Sequence, residues 1–324
     1  MVRVLYAGSP LASARTLELL IEKSGPNGFE LAGVLTNPPS ARGRHKTLVP
    51  TEVQDVADKN GIPVFALEHL DAAAREAVAA VKPDILVCFA YGHIFGPKFM
   101  ELFRFGGINL HPSALPKYRG CTPVNAAILN GDKETAFTIQ KVSRAMDEGN
   151  IMVSEKVVLN GTETAESLLN DAAVRGAELL CGILKDISLS GSIAEGIPQT
   201  GEASYTGMIS KEDAKLDWSK SAAEIDCAVR AYYPDPNAWT VENGTPLKIM
   251  SGAVLSDEEG SSLGGDLNAE PGVVTAFSKQ KGILVRCGSG FYSLTKLQRQ
   301  GKNAMDYKSF MNGAKDFIGT KFSF

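Results

Sequence analysis

The sequence predicts an α/β fold: a doubly wound, mainly parallel sheet followed by a small β-barrel. Three observations carry that expectation. Short apolar, β-rich runs alternate with amphipathic helical patterns through the first half. Composition then shifts to Gly, Ser and Pro across residues 186–207. Beyond that point, β-prone pieces separated by glycine-containing turns fill the chain. A length of 324 residues suits about two domains. The expected division is an α/β domain over 1–187, a linker over 188–207 and a β-barrel domain over 208–324.

Residues 2–7 (VRVLYA), 30–36 (ELAGVLT) and 84–90 (DILVCFA) have the composition of buried parallel strands. Between them, 11–23, 51–60 and 71–81 space apolar residues three and four apart, as at Leu17, Leu20 and Ile21, and are expected as helices. Further strands are expected at 107–110 (GINL), 135–142 and 151–158, with a helix at about 122–130 that Thr122 caps and Pro123 opens. A long helix over 164–185 starts at Thr164 and aligns Leu168, Leu169, Ala172, Leu179, Leu180 and Ile183. The second domain is expected to contain a helix near 221–231 and strands at 238–242, 246–255, 271–277, 282–288 and 291–297. Residues 256–270 read as an exposed loop.

With 44% hydrophobic and 22% charged residues, the composition is ordinary for a globular protein. No apolar run approaches the ~20 residues that span a bilayer, and the opening MVRVLYAGSP reads as a strand and turn instead of a signal peptide. A cytoplasmic protein with no membrane partner is expected. Cys88, Cys121, Cys181, Cys227 and Cys287 lie far apart without a C-x-x-C, which argues against a disulfide framework or zinc site and for buried thiols. The net charge of −4 gives no global sign of nucleic-acid binding, so basic residues are read by region.

The first strand ends in Ala7-Gly8-Ser9-Pro10, without the later glycines of a dinucleotide fingerprint or the Lys-Ser/Thr of a phosphate loop; Gly8 reads as a tight strand-helix turn. No His-Glu-x-x-His or Gly-x-Ser-x-Gly is present, and His45, His69 and His93 lack ligand spacing, so no metal is expected. The densest signal is 107–120. If 107–110 is a central strand, Asn109 and His111 project from one side of its carboxyl end, where open α/β sheets bind ligands. An amide beside an imidazole can stabilise an oxyanion, and the imidazole can exchange a proton. Taken alone, such a pair serves local hydrogen bonding more often than catalysis. A third member is Asp147, in the turn Met146-Asp147-Glu148-Gly149, where a carboxylate could orient His111 or accept a proton.

Asn109-Leu-His111, Ser113-Ala-Leu-Pro-x-x-Arg-Gly120 and Asp147-Glu-Gly together resemble the signature of the folate-dependent formyltransferases. The resemblance implies a Rossmann-like catalytic domain. It also implies metal-independent attack by an amine on the formyl carbon of 10-formyltetrahydrofolate, with Asn109 and His111 stabilising the oxyanion and Asp147 assisting proton transfer. Pro112 and Ala114 stand where relatives usually carry Gly and Leu, but the polar atoms of the motif are retained. By the same resemblance the reduced folate is expected against Phe89, Ala90, Tyr91, Gly92, Ser113, Leu115 and Pro116.

The stretch from Tyr205 to Trp218, then Arg230-Ala-Tyr-Tyr-Pro234, Trp239 and Leu294-x-x-Leu297-Gln298-x-x-Gly301-Lys302, resembles the members of that family that formylate methionyl-tRNA. This likeness implies initiator methionyl-tRNA as acceptor, an OB-like tRNA-binding second domain and a role in translation initiation; separately, a monomer is expected. The charge pattern agrees: residues 279–302 carry Lys279, Lys281, Arg286, Lys296, Arg299 and Lys302 with no Asp or Glu, which suits phosphates, although an ordinary solvated face gives the same pattern. A second cluster, Arg42, Arg44 and Lys46, lies in the loop after the second strand and resembles the acceptor-stem loop, with Arg42 as its functional arginine. The alternatives are a UDP-amino-sugar formyltransferase and a non-catalytic RNA-binding module on the same scaffold.

Overall fold

The computed structural model describes residues 1–42, 47–314 and 316–323. They form two compact units: residues 1–123, 134–158 and 168–207 in the first, and 124–133, 159–167 and 208–324 in the second. The first begins with β1 (Val2–Ala7), α1 (Leu11–Lys23), β2 (Phe29–Thr36), the small hairpin β3 (Ser40–Arg42) and β4 (Thr47–Val49), α2 (Glu52–Lys59) and β5 (Val64–Ala66). It continues through α3 (Ala72–Ala80), β6 (Ile85–Cys88), α4 (Pro97–Met100), β7 (Gly107–His111) and β8 (Arg119–Gly120). Helix α5 (Pro123–Leu129) leads out of this unit; β9 (Glu134–Lys141), β10 (Ile151–Val158), most of α6 (Ala165–Ser190) and β11 (Tyr205–Thr206) complete it.

The main sheet has the order β10-β9-β7-β6-β1-β2-β5. Pairings from β5 through β7 are parallel, whereas β7–β9 and β9–β10 are antiparallel. Order reverses on either side of β1, so the β1/β6 crevice at the carboxyl strand ends is the topological position for a ligand. Thr51 and Asp71 cap α2 and α3 by accepting the Gln54 and Ala74 N–H groups, as their residue types favour. Helix α6 lies directly on β7: a Cβ on Gly176 would come within 2.3 Å of Leu110, so only glycine permits this approach. Leu110 and Ile108 thus face into buried layers while Asn109 and His111 alternate to the other side.

The second unit contains α7 (Ala222–Ala231), β12 (Ala238–Glu242), β13 (Thr245–Leu255), α8 (Asp257–Ser262), β14 (Val274–Ser278), β15 (Gly282–Arg286), β16 (Phe291–Arg299), β17 (Met305–Asp306) and α9 (Tyr307–Asn312). Its antiparallel sheet runs β12-β13-β16-β15-β14, with β17 on β16. The chain end joins the two edges: Val241 bridges Ser323 and Val273 bridges Lys321. Phe322 between them is fully buried against Trp218 and Phe317. Burying a ring at the seam ties barrel closure to the core.

Several expectations need correction. The stretch 256–270 is not all loop, because Ser256 and Glu259 form a reciprocal capping box that starts α8. Helix α6 continues to Ser190, and its buried line runs through Ala172, Gly176, Leu180, Leu184 and Ile187, with Leu169, Leu179 and Ile183 only half-buried. Cys88, Cys181 and Cys287 are buried thiols, but Cys227 is half-buried and Cys121, between β8 and α5, is exposed. The chain over 191–207 packs on the first unit, with Ile197 bridging Ile151 and β11 pairing with β8. Among the described residues, no helix is long and apolar enough to cross a membrane.

Candidate active site

Register places the site's first residues. On β7, Asn109 lies beside Gln140 of β9 and Cys88 of β6, while His111 lies beside Thr138. The His111 Nε2 is 2.9 Å from the Tyr118 carbonyl, which can only accept, so Nε2 carries a proton and Nδ1 is the free ring nitrogen. That Nδ1 stands 3.6 Å from the Asp147 Oδ1, beyond hydrogen-bond range but within Coulombic reach. Burial pulls His111 below the ordinary histidine range, while the nearby Asp147 carboxylate and the Tyr118 hydrogen bond act in the opposite direction. The imidazole is therefore neutral at neutral pH, with an available lone pair. The neighbouring Cys88 thiol is pushed up to about 12 by burial, so it is no nucleophile.

Asp147 arrives from the β9–β10 connection with a left-handed backbone, φ 55°. Its Oδ2 accepts the Gly120 N–H at 2.8 Å and its Oδ1 accepts the Gln140 amide at 2.7 Å; the Asn109 Nδ2 is 3.4 Å from the same Oδ1. Gly149 explains the Asp-x-Gly pattern: a Cβ there would meet the Lys141 carbonyl at 1.7 Å. The structure thus brings Asn109, His111 and Asp147 together and adds Gln140, which sequence reading passed over. It also adds Gln199, whose Nε2 donates to the Asp147 and Gly149 carbonyls at 2.8 and 2.9 Å. Neither glutamine has a local sequence signal, because strand register and the return of 191–207 create both contacts.

After β6 the chain turns sharply. Phe89 and Tyr91 are buried; Ala90, with φ 52°, and Gly92 are exposed. Asn37 fixes this turn by donating to the Tyr91 carbonyl at 3.2 Å, and its Oδ1 lies 2.7 Å from His93 Nε2. Leu115 and Pro116 are buried and joined by a cis peptide. The Ser113 hydroxyl is directed inward, donating to the Lys117 carbonyl at 2.6 Å, so its visible work is to brace the 112–118 loop. Among the described residues, no group of three or more His, Cys, Asp or Glu side chains could hold a metal ion.

In the second unit, Lys279 and Lys281 lie in the β14–β15 turn, Lys296 on β16 and Lys302 just after it, all exposed. Arg286 and Arg299 from the same stretch are paired with Asp257 and Glu242. A groove that sequence reading missed is lined by Lys211, Trp239, Lys248 and Gln298. Lys211 and Lys215 place ammonium groups 5.2 and 5.4 Å from the Trp239 ring, and cross-strand register sets Trp239 beside Lys248 and Lys248 beside Gln298. In the first unit, the Arg42 backbone ends β3. The Arg42 side chain, Arg44 and Lys46 lie outside the described residues.

The formyl transferase model matches residues 2–184, and the formyl transferase C-terminal domain model matches 208–315. The methionyl-tRNA formyltransferase of Treponema denticola is 37% identical over 326 residues, covering 98% of each chain. Two solved structures share the fold. The methionyl-tRNA formyltransferase of Clostridium thermocellum has a TM-score of 0.55 at 15% identity, covering 78% of this chain and 93% of that one. HypX from Aquifex aeolicus, in complex with tetrahydrofolic acid, has a TM-score of 0.63 at 14% identity; 98% of this chain matches 48% of HypX, so the chain spans about half that protein. The two domain models in their order, with a near full-length relative at this identity, mean that the chain belongs to the formyl transferase family.

Proposed function

We propose that this protein transfers the formyl group of 10-formyltetrahydrofolate to the amino group of methionine on initiator methionyl-tRNA, in the cytoplasm and as a monomer. The carrying observation is the convergence of Asn109, His111 and Asp147 at the carboxyl end of β7. The near full-length likeness to a methionyl-tRNA formyltransferase supports the acceptor. In the proposed reaction, the amine nitrogen bonds to the formyl carbon and the carbonyl π electrons move to oxygen. An Asn109 amide N–H donates to that oxyanion. The ammonium proton passes to His111 Nδ1, and Asp147 stabilises the resulting imidazolium, whose charge also favours the oxyanion. The proton then goes to the folate nitrogen as its bond to the formyl carbon breaks, leaving formylmethionyl-tRNA and tetrahydrofolate.

We assign folate binding to the first unit, where the 89–92 turn and Leu115–Pro116 supply apolar walls and backbone groups beside the catalytic trio. tRNA phosphates are assigned to Lys279, Lys281, Lys296, Lys302 and the Lys211–Trp239–Lys248 groove, and the acceptor end to Arg42, Arg44 and Lys46. The deciding experiment offers the purified protein 10-formyltetrahydrofolate with initiator methionyl-tRNA or a UDP-amino sugar. Formylation of the tRNA alone is expected; turnover of the sugar without the tRNA overturns the acceptor assignment.

A further inference from the structure

We propose that Gln199 is a positioning residue for formyl transfer: its amide holds the 147–149 turn so that the Asp147 carboxylate faces His111. The proposal rests on the roles given to Asp147 and His111 above. One amide ties together both sides of this region. Its Nε2 donates to the Asp147 carbonyl at 2.8 Å and the Gly149 carbonyl at 2.9 Å, and lies 3.3 Å from the Gln140 Oε1. Its Oε1 accepts Arg119 Nε at 3.1 Å and Nη2 at 2.8 Å. Gln140 in turn donates to the Asp147 carboxylate. The clamp therefore acts on Asp147 through its backbone and through the partner of its side chain.

The residue type matters because the two ends face opposite chemistry. Two carbonyls require a donor, while a guanidinium requires an acceptor. Glutamate satisfies only Arg119 and presents an oxygen to the carbonyls. The backbone that the clamp restrains is unfavourable for most side chains, since Asp147 has φ 55°. The same segment also reaches the support for His111. Ser204 Oγ accepts the Tyr118 N–H at 2.9 Å, and the Ser204 carbonyl accepts the Arg119 N–H at 2.8 Å. Tyr118 supplies the carbonyl that fixes His111 Nε2. Residues 199–204 thus brace both members of the proton-transfer pair, although they lie between the stretches matched by the two family models.

The test uses the full chain with Gln199→Glu and Gln199→Ala, and Asp147→Asn as reference. Readouts are kcat, the KM for 10-formyltetrahydrofolate, thermal midpoint, and the His111 titration followed by imidazole NMR. Both Gln199 variants should lower kcat by at least about tenfold with KM within about twofold. The His111 midpoint should move by about half a unit or more as the Asp147 charge is displaced. Gln199→Glu is the decisive variant should Gln199→Ala unfold, because it is isosteric and keeps the Arg119 contact. Parental kcat and His111 titration in Gln199→Glu, beside an inactive Asp147→Asn, overturn the role of Gln199 alone. A raised KM with unchanged kcat also overturns it, by making Gln199 a substrate contact. Full turnover in Asp147→Asn defeats the underlying reading of the carboxylate instead.

Discussion

Asp147→Asn is the sharpest perturbation of the proposed site because it removes the charge while keeping the size and shape of the side chain. Asparagine tolerates the left-handed backbone that Asp147 adopts at φ 55°, whereas alanine would add strain of about 1–2 kcal/mol. The carboxylate is 3.6 Å from His111 Nδ1, and unit charges at that separation attract by about 5 kcal/mol at an effective dielectric constant of about 20. The side chains of His111 and Asp147 are only 5% and 12% exposed, so solvent screens this attraction weakly. The interaction matters most when His111 is protonated, which in the proposed reaction occurs after the amine attacks. Part of the attraction is recovered by solvent and amide dipoles, leaving an expected loss in kcat of about 10²–10³-fold, or ~3–4 kcal/mol. The new amide also places one NH₂ against either the Gly120 N–H or the Gln140 amide, each of which had an acceptor. That mismatch should lower stability by about 1–3 kcal/mol. Single-turnover formylation at saturating substrates, with a denaturant titration, separates the two effects. A folded Asp147→Asn protein that reacts within about threefold of the parent would refute the electrostatic account.

Asn109→Ala should reduce kcat by at least ~100-fold while folate KM changes little, measured by steady-state formylation. Since burial lowers the His111 pKa, the neutral ring should persist below the usual ~6.5, and kcat should fall only on the acid side of that value; a kcat that rises on acidification contradicts His111 as acceptor. Stability follows the same sign: the unfolded chain takes up the proton first, so the His111 contribution is lost as pH falls from ~6.5 toward the depressed folded value, as a series of denaturation midpoints would show. Replacing Lys279, Lys281, Lys296 and Lys302 together by Gln should flatten the salt dependence of tRNA binding by roughly one unit of slope per lost phosphate contact, with folate affinity unchanged.

Local patterns in the sequence made part of this site legible. The two-residue strand period set Asn109 and His111 on one side of β7, and Asp147-Glu-Gly marked a turn whose glycine the Lys141 carbonyl demands. The cap of α8 was also readable as Ser256-x-x-Glu259, although the surrounding Gly and Ser residues masked it. Other features depend on distant partners. Gln140 enters through the β7–β9 register, and Gln199 reaches Asp147 across 52 residues from a stretch with the composition of a connection. Charge counting over 279–302 missed that Arg286 and Arg299 have carboxylate partners in Asp257 and Glu242, outside the window counted. Strand pairing set Lys248 beside Trp239, joining cations that are far apart in sequence.

Those distant contacts also favour one of the two roles that sequence left open for Asp147. A group accepting the amine proton would become a carboxylic acid and would need an acceptor for its O–H. Within hydrogen-bond range of the carboxylate, Gly120, Gln140 and Asn109 instead present N–H donors, at 2.8, 2.7 and 3.4 Å, while the His111 Nδ1 lone pair stands beyond that range at 3.6 Å. Protonating Asp147 would disturb donors already aligned on its oxygens. His111 has the complementary arrangement: the Tyr118 carbonyl occupies Nε2–H, while Nδ1 retains its lone pair and faces Asp147. Transfer to Nδ1 would create an imidazolium beside a carboxylate without breaking either hydrogen-bond set. In the proposed reaction, His111 is therefore the proton carrier and Asp147 the fixed countercharge, held by donors from Gly120 and Gln140 and by a turn braced at Gln199.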